Sequence, residues 1–201
     1  MTNLKPQVNI VSNLWLELCK GFTEPYQIIC ANSVLAEGIS KQIQQLKFYR
    51  KKVPCHLVDD MAFYESEPVV FNKKNAFLNI ESGVFAFIHA VFDEPLLILG
   101  RECPLSISIN GKIIEMSKDD LECLSICYAI SASKIQGRKF KNTIVLLDNS
   151  YLITKAWLYT VSVASSERMV LVGNRDNLKN TLTTSKYSSQ RHFGIPLTLA
   201  V

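Results

Sequence analysis

Residues 124–173 read LSICYAISASKIQGRKFKNTIVLLDNSYLITKAWLYTVSVASSERMVLVG, and the order of apolar and polar runs here decides the fold class. Segments 124–130, 143–147 and 169–172 are short, nearly unbroken apolar runs, as expected of strands buried on both faces of a parallel sheet. Between them lie a turn with a short helix over 131–140 and a long helical pattern over 152–168. Strands alternating with helices imply an α/β fold, a parallel sheet flanked by helices.

Upstream, residues 26–31 (YQIICA) form another continuous apolar run. A helix is expected over 34–49, where Leu35, Ile39, Ile43 and Leu46 recur at helical steps. It ends in cations, Lys47 and then Arg50-Lys51-Lys52, which suit a helix C-terminus and read as a solvated end. Residues 11–20 form a loosely periodic first helix closed by Gly21 and Pro25, and 176–182 a last helical turn.

From 63 to 115 short β-like runs replace this rhythm: 68–71, 83–88, 96–99, 105–109 and 112–116. Asn72, Asn79, Gly83, Asp93-Glu94-Pro95 and Asn110-Gly111 separate them. Asn-Gly between alternating runs is a strong hairpin signal. So many strands in so short a stretch predict a small, twisted β-barrel. The expected organisation is one α/β domain, residues 1–62 and 116–201, with the barrel (63–115) inserted between its first and second strands.

Composition narrows the class further. Of 201 residues 48% are hydrophobic and 20% charged, enough apolar surface for a core and too little charge for disorder. Lys+Arg 22 against Asp+Glu 18 leaves +4, a surplus that permits a polyanionic partner without requiring one. The six cysteines contain no C-x-x-C pair and the three histidines are widely spaced, so reduced thiols and no metal site are expected. The start, MTNLKPQVNI, carries no apolar leader core, and no run approaches a membrane span. A soluble, cytoplasmic domain with no membrane partner is expected.

Three stretches, in this order, resemble the C-terminal part of superfamily 1 DNA helicases of the RecD and TraI type. Residues 63–72 (FYESEPVVFN), continuing to 79–84 (NIESGV), are similar to the segment that opens a small barrel inserted in the family's second motor domain. Residues 127–140 (CYAISASKIQGRKF) resemble the motif A-Y-A-I-T-I-H-K-S-Q-G-S-E-F. Residues 152–173 (LITKAWLYTVSVASSERMVLVG) resemble L-L-T-R-E-L-L-Y-T-A-V-T-R-A-K-E-R-L-V-L-V-G. The likeness covers roughly residues 25–195. It implies a second RecA-like motor domain, in a family where ATP sits between two motor domains and single-stranded DNA crosses both.

The chemistry of such a motor is only partly present. Hydrolysis needs a phosphate-cradling loop with its Lys and Ser/Thr, and no G-x-x-x-x-G-K-[ST] occurs here. Residues 144–149 (IVLLDN) look like a Walker B strand, but an acid at a strand end without a phosphate loop reads as a turn former. Where the family has the arginine of T-R-A, this chain has Ala164, and losing such an arginine costs roughly 10³- to 10⁵-fold in rate. Lys155 replaces another family arginine, keeping charge but not the fork, and Arg168 is retained. Lys155 and Arg168 are the candidate nucleotide-proximal residues, and no catalytic residue is assigned. ATP and Mg²⁺ are expected only if a partner motor domain is present.

The basic residues fare better. Between Cys123 and Leu147 there is no acid, yet Lys134, Arg138, Lys139 and Lys141 fall close together beside Gln136 and Gly137. Clustered cations at a backbone turn suit phosphate contacts, so these six residues are the candidate nucleic-acid site. Lys73 and Lys74 could extend it, whereas Trp157 and Tyr159 read as core. The expected partner is single-stranded DNA. A first motor domain, helicase or relaxase is the further candidate, making the chain half of a composite helicase or a protein-docking pseudo-helicase in conjugation or repair.

Overall fold

In a computed structural model of the chain, residues 5–20, 25–48, 55–58, 61–135, 137–148 and 150–183 are described. The first helix, α1 (Lys5–Cys19), begins earlier than the apolar pattern suggests, because Pro6 sits in its first turn where a missing N–H costs nothing. Strand β1 (Gln27–Cys30) is buried and leads into α2 (Ser33–Phe48), capped by the Asn32 side chain, which accepts from Leu35 N at 2.8 Å. Leu35, Ile39 and Ile43 are buried as expected, while Leu46 is exposed.

β2 (Cys55–Val58) and β3 (Met61–Tyr64) form a hairpin. Then come β4 (Pro68–Phe71), β5 (Phe85–Ile98), β6 (Arg101–Ile109), β7 (Lys112–Met116), the short α3 (Lys118–Leu121), β8 (Leu124–Ile126) and β9 (Ala129–Ser131). A 3-10 turn (Ala132–Lys134) precedes β10 (Phe140–Leu147), followed by α4 (Lys155–Ala164), β11 (Ser165–Gly173) and α5 (Arg175–Thr183).

Beside the two-stranded β2–β3 pair, two larger sheets carry the described strands. The parallel sheet has the order β11-β10-β1-β9. Its one face packs on α1 and α2 through Ile28, Cys30, Ile144 and Leu146. Its other face buries Ile29, Ile130, Val145 and Leu147 with Ile135, Val161 and Ala164. The α/β class with a helix-flanked parallel sheet is therefore present.

The second sheet is antiparallel, in the order β7-β6-β5-β4-β8. Where a barrel is expected, the described strands form an open sheet whose edges, β7 and β8, do not pair with each other. Its core draws Met116, Leu121 and Leu124 from beyond residue 115.

Three local expectations fail for identifiable reasons. Residues 124–130 are not one strand: β8 pairs antiparallel with β4 and β9 parallel with β1, and the chain changes sheet at Cys127-Tyr128. The Asp93-Glu94-Pro95 turn is instead an irregularity inside the long β5, where pairing jumps from Val91 to Leu96. Pro is tolerated at such a bulge. The reversal falls at Leu99-Gly100, both at positive φ. Finally, the long helix stops at Ala164, because residues 165–168 pair with β10 and tertiary pairing overrides helical propensity. Its start is set by the Thr154 hydroxyl, which accepts from Trp157 N. Arg168 therefore lies in a strand, level with Asn142, and not at a helix end.

A buried carboxylate ties the second sheet's corners. Asp120 Oδ1 accepts from Asn75 Nδ2 at 2.7 Å, while Oδ2 accepts from Ser117 N and Oγ and pairs with Arg101 at 3.0 Å. Burial alone would raise its pKa, but the hydrogen bonds from Asn75 and Ser117, with Arg101, outweigh burial and hold it below the ordinary value of 3.8. The unfolded chain then binds the proton more readily. Stability from Asp120 is present above that ordinary value and is lost as pH falls through the lower folded one.

Two outcomes follow for unfolding experiments. Asp120→Asn presents an N–H to donors and strands Arg101, and is expected to cost about 2–4 kcal/mol at pH 7 in denaturant unfolding, with a flatter acid dependence of stability than wild type. Gly173→Ala is expected to lower Tm, since a Cβ there would meet Leu147 Cβ at 2.7 Å and crowd the Leu147 carbonyl oxygen more closely still. An unchanged Tm would show that β10 and β11 relax freely.

Candidate nucleic-acid interface

The basic cluster lies on the crossover from β9 to β10. Ser131 is one position past Ile130, level with Cys30, whereas Phe140 lies three positions before Thr143, level with Gln27. Both strands run parallel, so this connection travels back from the carboxyl edge of the sheet to its amino edge. Ser131 and Lys141 are about five strand positions apart along the sheet, roughly 17 Å. The cations are thus strung along the sheet and do not converge on one point.

Lys134 stands at the carboxyl edge, exposed, on a cleft of about 70 Å³ whose apolar floor includes Val70, Ile126 and Ile130 and whose polar lining includes Ser33, Glu37 and Asn72. The carboxyl edge of a parallel sheet is where ligands bind in open α/β folds. Ser33 brings the first turn of α2 to this cleft, and Asn72 Nδ2 donates to Ser125 Oγ at 2.8 Å. Glu37 is an acid in the same place, so the polar part of the cleft is of mixed sign. Ile135, where the resembled motif has a serine, is buried in the core and pins the crossover against the sheet.

Gly137 adopts φ +72, a conformation that favours glycine, and turns the chain. Gln136 lies outside the described residues. Arg138 is half-buried and already engaged: its Nη2 donates to the Gly83 carbonyl and its guanidinium lies 4.3 Å from the Phe85 ring centroid. It holds the crossover to the antiparallel sheet. Lys139 and Lys141 are exposed beside it. Lys73 is also exposed, while Lys74 pairs with Glu81. Of the six candidates, then, Lys134, Lys139 and Lys141 are exposed along the sheet, and Arg138 with Gly137 shapes the path between them.

The nucleotide candidates are not brought together. Lys155 opens α4 near the carboxyl edge, whereas Arg168 sits near the amino edge, and the helix between them spans roughly 15 Å. Ala164, the position of the family's arginine, is buried with Val161. Asp148 accepts from Ser150 N at 3.0 Å, the bond of a local turn. Lys155 and Arg168 therefore do not converge on one anion site within this domain. Among the described residues no His/Cys/Asp/Glu cluster could hold a metal ion, and no helix is long and apolar enough to cross a membrane. Burial pushes the Cys30 thiol up to about 12 and Cys127 higher still, so neither is a nucleophile near neutrality.

The cleft at Lys134 was not anticipated from sequence. Part of its signal was legible, since Asn32-Ser33 after a buried strand is a helix-start pattern. Asn72 and Ser125 meet only through the β4–β8 pairing. Tyr159, read as core, is 71% exposed on α4.

No protein-family profile matches the sequence. The RecD subunit of the RecBCD enzyme of Buchnera aphidicola is 22% identical over 177 residues, which cover 83% of this chain and 27% of that protein. The Pif1 helicase from Bacteroides in complex with ADP-AlF3 and ssDNA superposes with a TM-score of 0.57 at 14% identity, over 84% of this chain and 45% of that one. The Pif1 helicase from Candida albicans gives 0.53 at 10% identity, over 84% and 50%. The chain spans about a quarter of the RecD relative and about half of the solved helicases, and over that span its fold is helicase-like, resembling RecD and the Pif1 enzymes.

Proposed function

We propose that the chain is a DNA-binding module, equivalent to the second motor domain of a RecD/TraI-type helicase (residues 1–62 and 116–201, with 63–115 inserted), acting in the cytoplasm on single-stranded DNA. The observation that carries this reading is the β9–β10 crossover: an acid-free stretch whose exposed lysines, Lys134, Lys139 and Lys141, line the sheet from edge to edge. A linear array of cations suits a backbone of evenly repeating phosphates better than a compact anion. ATP turnover would depend on a first motor domain that supplies the phosphate loop, because Lys155 and Arg168 lie apart and Ala164 is buried.

The test is titration of a labelled oligothymidine at several salt concentrations, read by fluorescence anisotropy. Affinity is expected to fall steeply with salt. Lys134→Ala with Lys139→Ala is expected to weaken binding and to reduce the slope of log K against log[salt] by about 0.7 for each phosphate that is no longer neutralised. Arg138→Ala is expected to weaken binding with a smaller change in that slope than the double lysine variant, since Arg138 is half-buried against Gly83 and Phe85 and shapes the crossover. Absence of binding even at low salt would sink the proposal.

A further inference from the structure

The β5–β6 hairpin ends in three exposed leucines: Leu96, Leu97 and Leu99 are 43%, 74% and 91% exposed. Its reversal, Leu99-Gly100, has φ 49 and 77, the two positive values of a type I′ turn. The next hairpin, β6–β7, makes the same turn with Asn110-Gly111 at φ 50 and 82. One sheet thus holds two turns of the same kind, one with the residues this turn favours and one with a leucine in the left-handed region. A leucine there is disfavoured twice, by Cβ sterics and by apolar exposure. Neither cost serves the fold, because asparagine or glycine in place of Leu99 would close the hairpin better.

The surroundings indicate what such a tip meets. Asp93, Glu94 and Glu102 are exposed around it, with Lys118 shared by Glu102 at 3.4 Å. Arg101, the one cation within residues 92–102, is turned inward onto Asp120, Ser117 and the Phe77 ring. In a chain of net charge +4, this end is apolar and acidic. A protein surface with an apolar pocket rimmed by Lys and Arg is complementary.

We infer that the Leu96–Leu97–Leu99 tip is a protein-docking element that inserts into an apolar, basic-rimmed pocket of a partner protein. The tip is separate from the lysine strip, so the inference stands or falls independently of DNA binding. Strain kept at a leucine for the sake of a contact has a distinctive signature: relieving it should raise stability and abolish docking together.

The experiment uses the 201-residue chain with leucine methyls labelled for NMR, titrated with an amphipathic Lys/Leu peptide and with its Glu/Leu counterpart. The Lys/Leu peptide is expected to shift the Leu96, Leu97 and Leu99 methyl signals, less so at high salt, and the Glu/Leu peptide to leave them in place. Leu99→Asn is expected to raise Tm by roughly 2–4 °C and to remove the peptide response at Leu96 and Leu97. The inference is overturned if Leu99→Asn lowers Tm or leaves it unchanged. Equal response to both peptides, no response to either, or tip signals that move with oligothymidine instead would overturn it as well.

Discussion

The structure depends on a short stretch, 125–131, whose backbone belongs to two sheets in succession. Ser125 and Ile126 pair with β4, and Ala129 to Ser131 pair with β1. At the crossing, Cys127 N donates to Pro68 O at 2.8 Å and Ile28 N to Tyr128 O at 3.2 Å. The Gln27 side-chain amide reinforces the point by donating to the carbonyl of Tyr128 at 3.1 Å. A buried backbone group without a partner costs about as much as a lost hydrogen bond, so this switch between sheets is tightly constrained.

Beneath the crossing lies the fully buried Glu67. Its Oε2 accepts from Gln44 Nε2 and Tyr64 N, and its Oε1 from Tyr128 O–H, which in turn accepts from Lys47. Burial pushes its pKa up, while the surrounding donors, Gln44 foremost, and the Lys47 charge pull the other way without cancelling it. For a carboxylate raised in this way the charged form is a cost, and its contribution to stability declines as pH rises through the folded value. The role of Glu67 is geometric: α2, the β3–β4 corner and the crossing all converge on one side chain. Truncating any donor would leave part of it unsatisfied in a dry site.

The same crossing explains where the lysines lie. Because β9 emerges at the carboxyl edge next to β1 while β10 enters on the far side of β1, the connection must run the length of the sheet. Ile135 fills the core under it and Arg138 clasps it to Gly83 and Phe85. Positions at which the chain departs from the helicase pattern thus went different ways. Ile135 and Ala164 became core, whereas Lys139 added surface charge.

Much of the fold was legible in residues 26–49 and 143–147, because β1, α2 and β10 are strongly patterned runs whose pattern follows burial. Residues 169–172 do form a strand, β11, but at the edge of the sheet, half-buried or exposed where burial on both faces was expected. The Asn110-Gly111 hairpin was equally legible, since its φ angles demand those residues. The break at Cys127-Tyr128, the end of α4 at Ala164 and the passage of β5 through Pro95 were not. Each is set by which strand lies alongside, and the partner residue is far away in sequence. The cation cluster could be read as a composition, but not as a strip with Arg138 withdrawn from it. Sequence alone determined the α/β class and the acid-free basic stretch, which follow from residue type and spacing. Only the tertiary structure decided which cations face outward, and that Leu99 rather than Asp93-Glu94-Pro95 turns the chain, because both depend on packing between segments that no local pattern connects.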